Sequence, residues 1–294
     1  MVAFEKLVRV YRRSGALGLL NAFLLRLRPF RSSVLPLIKA AIHRGRGLEI
    51  GGPSQIFSAR GILPVYPFIE SLDNCNFGQV TLWEGEIEVG STFQFNKKKS
   101  AGLQYILEAS NLAAIDDCSY DFVLSSHVLE HCANPLKVLH EWSRVLRENG
   151  TLLIVLPHKD GTFDHRRPVT ELYHLIDDHK LDVTEEDETH FDEIFRLHDL
   201  GRDAEAGGRA KFLARVRNNA VERGVHHHVF DTGAGLALVD HAGFQILAVE
   251  SVLPFHIICL AQKVQTGSVK DNAPLFGANA SWRAKSPFET DNRI

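Results

Sequence analysis

The stretch YDFVLSSHVLEHCANPLKVLHEWSRVLRENGTLLIVLPHK, residues 120–159, decides the fold of this 294-residue chain. Its apolar run at 121–125 predicts a buried strand, and the apolar run at 151–156 predicts another. Between them, residues 135–147 place leucine and tryptophan side chains at helical spacing, behind a proline suited to the first helical turn. A strand, a helix and a strand in this order predict parallel pairing in a sheet covered by helices.

Two further parts of the chain extend this pattern. GLEIGGPS, residues 47–54, predicts a strand that ends in a glycine turn. Residues 243–252 and 255–263 predict two strands separated only by Leu253 and Pro254, so this last pair is expected to be antiparallel. We therefore expect an α/β fold whose sheet is parallel except for its last strand.

The spacing of these strands predicts an inserted segment. Residues 158–242 separate two consecutive strands and exceed what a single crossover helix needs. The middle of this segment is rich in Asp and Glu, which predicts a solvated helical lid. The expected parts are an N-terminal helical segment (1–46), a core (47–157 and 229–263), a lid or acceptor-binding insertion (158–228) and a loosely ordered C-terminal extension (264–294).

The amino-acid composition limits the kinds of partner that the chain is expected to bind. The chain has 33 basic and 36 acidic residues, so no overall field attracts nucleic acid. Residues 1–47 are strongly basic. This segment could form helices packed on the edge of the domain, a peripheral membrane contact or a homodimer contact, and the sequence does not choose among the three. The apolar run at 15–25 is too short to span a bilayer, and the four scattered cysteines predict a reducing, cytoplasmic location.

The glycine turn at 47–54 differs from a dinucleotide-binding fingerprint. Pro53 and Gln55 occupy positions where G-x-G-x-x-G requires glycine. The phosphate-binding helix start of an NAD-dependent oxidoreductase is therefore not expected, and a ligand without phosphate fits better.

These motifs together resemble a known family. With LEIGGPS at 48–54 and EASNLAAIDD at 108–117, the stretch 120–159 resembles the class I S-adenosylmethionine (SAM)-dependent methyltransferases. The resemblance covers residues 47–157, and residues 240–263 in strand order. It implies a Rossmann-like sheet of seven strands, the last antiparallel, and SAM as the cofactor.

The resemblance also assigns cofactor-binding residues. The glycine turn holds the methionine end of SAM, the loop at 108–109 contacts the adenine, and the end of the strand at 121–125 forms the floor. The residues so assigned are Glu49, Gly51, Gly52, Pro53, Ser54, Glu108, Ala109, Ser126 and His127. A carboxylate at the end of the second strand normally binds the ribose; Glu84 is predicted, with Glu86 or Glu88 as alternatives. Glu130 and His131 are predicted to cap the following helix.

HKDGTFDHRRPVTELYHLI, residues 158–176, is predicted to bind the methyl acceptor, because it follows a strand at the open side of the sheet. A hydroxyl acceptor requires a general base. We predict His165 as this base, with Asp164 or Glu171 orienting its ring, and His158 as the alternative base. A purely structural role in loop hydrogen bonds and ion pairs remains open.

The acceptor class rests on a looser resemblance. The segment TFDHRRPVT resembles one in methyltransferases associated with surface glycans and polysaccharide biosynthesis, which favours O-methylation of a saccharide or glycoconjugate. A small metabolite or lipid-linked acceptor, and a non-catalytic SAM-binding module, are the alternatives. A nucleic-acid acceptor is not expected, because the chain lacks an N-P-P-Y-like motif after the Y-D-F-V strand.

HHHVF, residues 226–230, raises the question of a metal ion. In an extended segment His226 and His228 would share one face, and Asp160 would add an oxygen ligand. Such a set predicts a divalent ion, for which Mg²⁺ is one candidate. Polar lining of the acceptor cleft is the other interpretation.

Overall fold

The computed structural model of the chain describes residues 30–42, 45–203 and 206–293. The strands in chain order are β1 (Arg46–Ile50), β2 (Ser71–Asn76), β3 (Val80–Thr81), β4 (Gly85–Glu86), β5 (Gly90–Phe93), β6 (Gly102–Ile106), β7 (Tyr120–Ser126), β8 (Leu146–Pro157), β9 (Phe244–Val252) and β10 (His256–Lys263). Eight of them form one sheet in the order β5-β6-β2-β1-β7-β8-β10-β9, and β3 and β4 form a separate hairpin. The resulting α/β fold is Rossmann-like.

The helices of four or more residues are α1 (Leu35–Ile42), α2 (Pro135–Val145), α3 (Leu172–Lys180), α4 (Phe191–Leu197), α5 (Arg209–Arg217), α6 (Asn219–Glu222) and α7 (Thr232–His241). Asn134 caps α2 by accepting a hydrogen bond from the Lys137 backbone nitrogen at 3.0 Å. Of the helices in the described part of the chain, none is long and apolar enough to cross a membrane.

Hydrophobic side chains fill both faces of the sheet. Alternate residues of a strand point to opposite faces, and β7 shows this: Val123 belongs to one cluster, and Phe122 and Leu124 to the other. The first cluster includes buried side chains of α2 and α7, and the second includes those of α1. Two covered faces explain why the central strands read as continuous apolar runs in the sequence.

The directions expected for the predicted strands are confirmed, but the expectation of one antiparallel strand and the expected number of strands are both wrong. Strands β2, β1, β7 and β8 pair in parallel, and β10 is antiparallel to both β8 and β9. The sheet has eight strands rather than seven, because β5 adds an antiparallel edge beside β6. Strand β2 was not expected, because its sequence SLDNCN has too few apolar residues to predict a strand.

The N-terminal predictions are tested only in part. The basic helical segment predicted within residues 1–29, with its membrane or dimer contact, lies outside the described residues. Helix α1 is present, but it buries Leu35, Ile38 and Ile42 and leaves Leu37 exposed.

The insertion, residues 158–228, contains helices α3 to α6. It has a small hydrophobic cluster of its own, formed by the buried side chains of Phe191, Ile194, Ala206, Phe212, Val216 and Val225. Leu175 of α3 is buried in the first core cluster and so connects the insertion to the core.

The C-terminal extension is packed more tightly than the sequence suggested. Trp282 and Phe288 are buried, although the segment has only short 3₁₀ turns and no strand among its described residues. The buried Asp291 carboxylate accepts a hydrogen bond from the Thr232 backbone nitrogen at 3.0 Å and lies 3.1 Å from His158 Nε2. Side-chain contacts between residues with no regular spacing hold this segment in place, so no pattern in the sequence predicts them.

The contacts of Asp291 make the extension important for stability. We expect Asp291→Ala to lower the free energy of unfolding by about 2 kcal/mol, because the buried polar groups of His158 and Thr232 lose their partner. Glu289→Ala is the control, since this exposed carboxylate pairs only with exposed Arg293 and should change the value by less than about 0.5 kcal/mol. Urea denaturation measures the free energy of unfolding of both variants. Equal values for the two variants would contradict the buried position of Asp291.

Candidate active site

One large cavity opens at the carboxyl ends of the central strands. Its volume is about 1170 Å³, and its walls include the residues that end β1, β2 and β7 and the loop after β6. The opposite wall comes from the insertion. Ligand pockets are commonly about 300 to 1,000 Å³, so this cavity has room for a nucleoside-sized cofactor together with an acceptor.

The glycine turn after β1 is held from two sides. Glu49 is buried, and its carboxylate accepts hydrogen bonds from the Ser54 backbone nitrogen at 3.0 Å and the Tyr66 hydroxyl at 2.7 Å. On β2, the side-chain amide of Asn74 bonds both the nitrogen and the oxygen of Gly52, at 3.0 and 3.1 Å. The turn is therefore pre-formed beside the cavity before any ligand binds.

The glycines of this turn have no room for side chains. Gly51 has a φ of +77°, and a Cβ atom there would lie 2.6 Å from Val128. A Cβ atom on Gly52 would lie 2.4 Å from the Glu49 carboxyl carbon. Glycine is therefore required at both positions for the turn to keep this shape. Gly51, Pro53 and Ser54 line the cavity directly.

The predicted ribose carboxylate sits on a different element from the one expected. The second strand is β2, which ends at Asn76, whereas Glu84 lies in the hairpin of β3 and β4. The expectation that Glu84 ends the second strand is therefore wrong, although the hairpin still brings Glu84 to the cavity. Burial raises the pKa of Glu84. Glu86 and Glu88 are exposed and lie outside the cavity lining.

The remaining residues assigned to the cofactor meet at the same cavity. Ala109 and Ser126 line it, and His127 contacts His256 with ring nitrogens 3.1 Å apart. Glu108 forms an ion pair of 2.7 Å with Arg223 of the insertion. This ion pair connects the insertion to the loop that the resemblance assigns to the adenine.

The residues predicted to act as the base lie outside the cavity lining. His165 Nε2 lies 2.9 Å from Asp199, and neither Asp164 nor Glu171 orients its ring. His158 is fully buried, stacked on Phe288 with ring centroids 3.9 Å apart. The chain turns after β8 so that these two imidazoles face the insertion and the C-terminal extension, which sequence order alone did not reveal.

Asp164 does orient a histidine, but that histidine is His226. Asp164 is buried, lies 2.5 Å from His226 Nδ1 and accepts a hydrogen bond from Arg167 at 3.0 Å. Burial opposes ionisation of Asp164, but His226 and Arg167 outweigh it and lower the pKa to about 2. His226 lines the cavity. An ionised carboxylate therefore holds one nitrogen of an imidazole that faces the ligand space.

Glu130 and His131 complete this group, although the sequence suggested only a capping role for them. The Nδ1 atom of His131 donates to the Val225 carbonyl at 2.9 Å. Burial lowers the pKa of His131 to about 4, so its ring is neutral at pH 7. Both carboxylate oxygens of Glu130 are buried without a hydrogen-bond partner. The order H-x-x-E-H at 127–131 was the only sequence signal for this group.

The ionisation of Glu130 follows from its neighbours. Burial opposes the charged form, but the His127 and His131 rings reverse that effect and lower the pKa of Glu130 below its usual value. The carboxylate is therefore ionised, and it supplies a fixed negative charge at the cavity wall.

The predicted metal set is not assembled. Asp160 accepts hydrogen bonds from Thr290, His226 pairs with Asp164, and His228 contacts the Ala133 carbonyl. The described residues instead contain two groups whose candidate ligand atoms all lie within 4.8 Å of one another: Glu130 with His131 and His226, and His174 with Asp178, His190 and His228. His226 and His228 therefore belong to separate groups, because the segment carrying them turns their side chains to different sides.

Comparison with known proteins supports the class suggested by the fold. Residues 70–154 match the model of a family described as a methyltransferase domain. No curated protein sequence matches the chain. Similar solved structures include SAM-dependent methyltransferases from Methanosarcina mazei (18% identity, 78% of this chain and 98% of that chain, TM-score 0.44), Aquifex aeolicus (14%, 82% and 93%, 0.44) and Mesorhizobium loti (11%, 79% and 98%, 0.43).

The matched domain and the strand order support a class I SAM-dependent methyltransferase. SAM is the cofactor that this class implies. The chemistry of the cavity suits SAM. The glycine turn forms part of its wall, its floor is polar, and carboxylates lie near the space that a cationic ligand would occupy. With TM-scores below 0.5, the superpositions add nothing to this assignment.

The crowding at Gly52 predicts a loss of cofactor binding on substitution. We expect Gly52→Ala to weaken SAM binding at least tenfold, because the new Cβ atom would displace the Glu49 carboxylate that shapes the turn. Calorimetric titration with SAM measures the effect. Gly233→Ala in α7 is the control and should bind SAM like the parent protein, because a Cβ atom there would come no closer than 3.5 Å to a neighbouring atom. Unchanged affinity in Gly52→Ala would contradict the placement of SAM at this turn.

The buried Glu49 predicts a pH-dependent cofactor affinity. Burial raises its pKa to about 7, against the hydrogen bonds of Ser54 and Tyr66, and the nearby Glu84 charge raises it further. Protonated Glu49 predominates below pH 7, and the ionised form that attracts cationic SAM predominates above it. Affinity should therefore rise about tenfold between pH 6 and pH 8.

Calorimetry in two buffers of different ionisation enthalpy provides the measurement, because SAM binding at pH 6.5 should release protons from Glu49. Glu49→Gln is the control and should remove this proton release. A binding heat that is independent of the buffer in the parent protein would show that Glu49 does not change its protonation.

Proposed function

We propose that this chain transfers the methyl group of SAM to a hydroxyl group of a saccharide or glycoconjugate, with His226 as the general base. One observation carries the proposal: the glycine turn and the imidazole of His226 line the same cavity. SAM, when bound, supplies an electrophilic methyl group. The chain's own task is then to align an acceptor oxygen and remove its proton.

The geometry around His226 suits proton removal. Asp164 engages Nδ1 at 2.5 Å, so Nε2 is the nitrogen left to accept a proton. Arg167 fixes both members of this pair, since it donates to Asp164 at 3.0 Å and to the His226 carbonyl at 2.8 Å. The ring therefore has a fixed orientation and a fixed tautomer, which general base catalysis requires.

Charge at the cavity wall favours the protonated product of this step. Glu130 contributes a candidate ligand atom within 4.8 Å of one in His226, and its buried Oε1 atom lies 3.6 Å from His127 Nδ1 and 3.8 Å from His131 Nε2. A negative charge in a site of low polarity stabilises a nearby imidazolium. Glu130 and Asp164 would together stabilise His226 after it has taken the proton.

The acceptor side of the cavity suits a sugar. Trp83 lies in the hairpin of β3 and β4 and is 52% exposed, and the centroid of its ring lies 5.2 Å from that of His131. The insertion contributes the donors Arg202, Lys211 and Arg215. An aromatic face beside charged hydrogen-bonding groups matches a ring that is apolar on its faces and carries hydroxyls at its edges.

A divalent ion at the cavity is the competing role for the same residues. Glu130, His131 and His226 offer one carboxylate and two imidazoles. This set is poor for Mg²⁺, which prefers oxygen ligands. We therefore assign the group to proton transfer, and methyl transfer should be the same with and without added MgCl₂.

The test separates proton removal from cofactor binding. We expect His226→Asn to lower kcat at least a hundredfold with SAM affinity nearly unchanged, and Asp164→Asn to lower it in the same direction. His165→Asn is the matched control and should retain most activity, because His165 lies outside the cavity lining. Full turnover in His226→Asn, or loss of turnover confined to His165→Asn, would refute this assignment.

The acceptor class has a test of its own. Transfer of a tritiated methyl group is measured with a set of oligosaccharides, with small alcohols and with lipid-linked saccharides. Label in the oligosaccharides, and a raised KM in Trp83→Ala, is the expected result. If only the small alcohols become labelled, the acceptor is a small metabolite and not a saccharide. If the protein binds SAM but labels none of these compounds, it is a SAM-binding module without methyltransferase activity.

A further inference from the structure

We propose that His174, Asp178, His190 and His228 bind a Zn²⁺ ion that fastens three segments of the insertion to one another. These residues come from three separate segments: helix α3, the residue before α4, and the segment at 226–230. Their candidate ligand atoms all lie within 4.8 Å of one another. The group lies outside the cavity lining, so it is separate from the proposed active site.

The histidine rings converge on one point. The Nε2 atoms of His174 and His190 face each other at 3.0 Å, and the ring centroids of these two residues lie 5.0 Å apart. The ring of His228 lies 5.3 Å from that of His190 and 5.8 Å from that of His174, in both cases edge to face. Three imidazoles around one point present nitrogen atoms to it, as ligands of a cation do.

The carboxylate completes the set. Asp178 lies one helical turn after His174, so both side chains project from the same face of α3. Its Oδ2 atom is 3.4 Å from His174 Nε2 and 3.7 Å from His228 Nε2. Four candidate ligands, three nitrogens and one oxygen, match the number that a structural zinc site uses.

Buried atoms without partners indicate that protein contacts alone do not satisfy this group. Among the described residues, the Oδ2 atom of Asp178 and the Nδ1 atom of His228 have no hydrogen-bond partner, although both residues are buried. Such atoms are costly in a folded protein unless something satisfies them. A cation bound to Asp178 and its neighbours would compensate the buried carboxylate.

The ligand types select the metal. Imidazole nitrogen suits Zn²⁺ and other first-row transition ions, whereas Mg²⁺ and Ca²⁺ prefer oxygen. Three histidines and one aspartate with no free coordination position favour a structural role. Since His228 follows His226 by two residues, the ion would also fix the segment that carries the proposed base.

The first experiment measures metal content and stability in the intact chain. The protein is produced without a histidine tag, and its zinc is measured by mass spectrometry. We expect about one Zn²⁺ per chain, a fall in Tm after removal of the metal with a chelator, and recovery of Tm with ZnCl₂ but not with MgCl₂. Co²⁺ in place of Zn²⁺ should give the visible absorption of a tetrahedral site with nitrogen and oxygen ligands.

Variants locate the ion. Asp178→Asn and His190→Asn should lose the bound zinc and the Tm response, whereas their controls Asp177→Asn and His241→Asn, both exposed, should keep them. Glu130→Gln removes a carboxylate of the other group and should also keep them. Absence of zinc in the parent protein together with no Tm response, or zinc that is lost with Glu130→Gln and kept in Asp178→Asn, would overturn the proposal.

These outcomes are independent of methyl transfer. A chain that binds zinc at this group but transfers no methyl would leave the metal proposal standing and remove the proposed function. A chain that transfers methyl groups but contains no zinc and shows no Tm response would leave the proposed function standing and remove the metal proposal.

Discussion

Arg167 is the buried charge on which the arrangement of the insertion depends. Its side chain is 1% exposed, and its guanidinium contacts the carboxylates of Asp164 and Glu193 and the carbonyls of His226 and His227. Burial of an arginine is costly unless its donors are paired, and here four oxygens pair with them. The rigid fork of the guanidinium therefore sets where the segment after α6 runs. The position of His226 at the cavity follows from that path.

The cofactor side of the cavity is built on different contacts. Glu49 and Asn74 come from adjacent strands, and both hold the glycine turn that follows β1. The parallel register of β1 and β2 brings these side chains together, and the insertion plays no part in this. The sheet therefore supplies a pre-formed place for a cofactor, and the insertion supplies the groups that would act on an acceptor.

Charged contacts join these two halves. Arg223 of the insertion bonds Glu108 beside the cofactor space and Glu185 within the insertion. The same arginine lies over the ring of Phe77, just after β2, at 5.4 Å. These ion pairs orient the insertion relative to the cofactor side of the cavity. A metal ion at His174, Asp178, His190 and His228 would add a constraint within the insertion itself.

The sequence by itself determined the parallel core, the antiparallel last strand and the glycine turn, because apolar periodicity and turn chemistry are local properties of the chain. It offered Asp164 or Glu171 as the residue that orients His165, whereas Asp164 contacts a different histidine. Only the tertiary structure decided which histidine that is, since His226 lies 62 positions further along the chain. The polar strand β2, the hairpin that carries Glu84 and the buried C-terminal extension were decided in the same way. Their contacts are made between distant side chains, and these leave no period in the sequence.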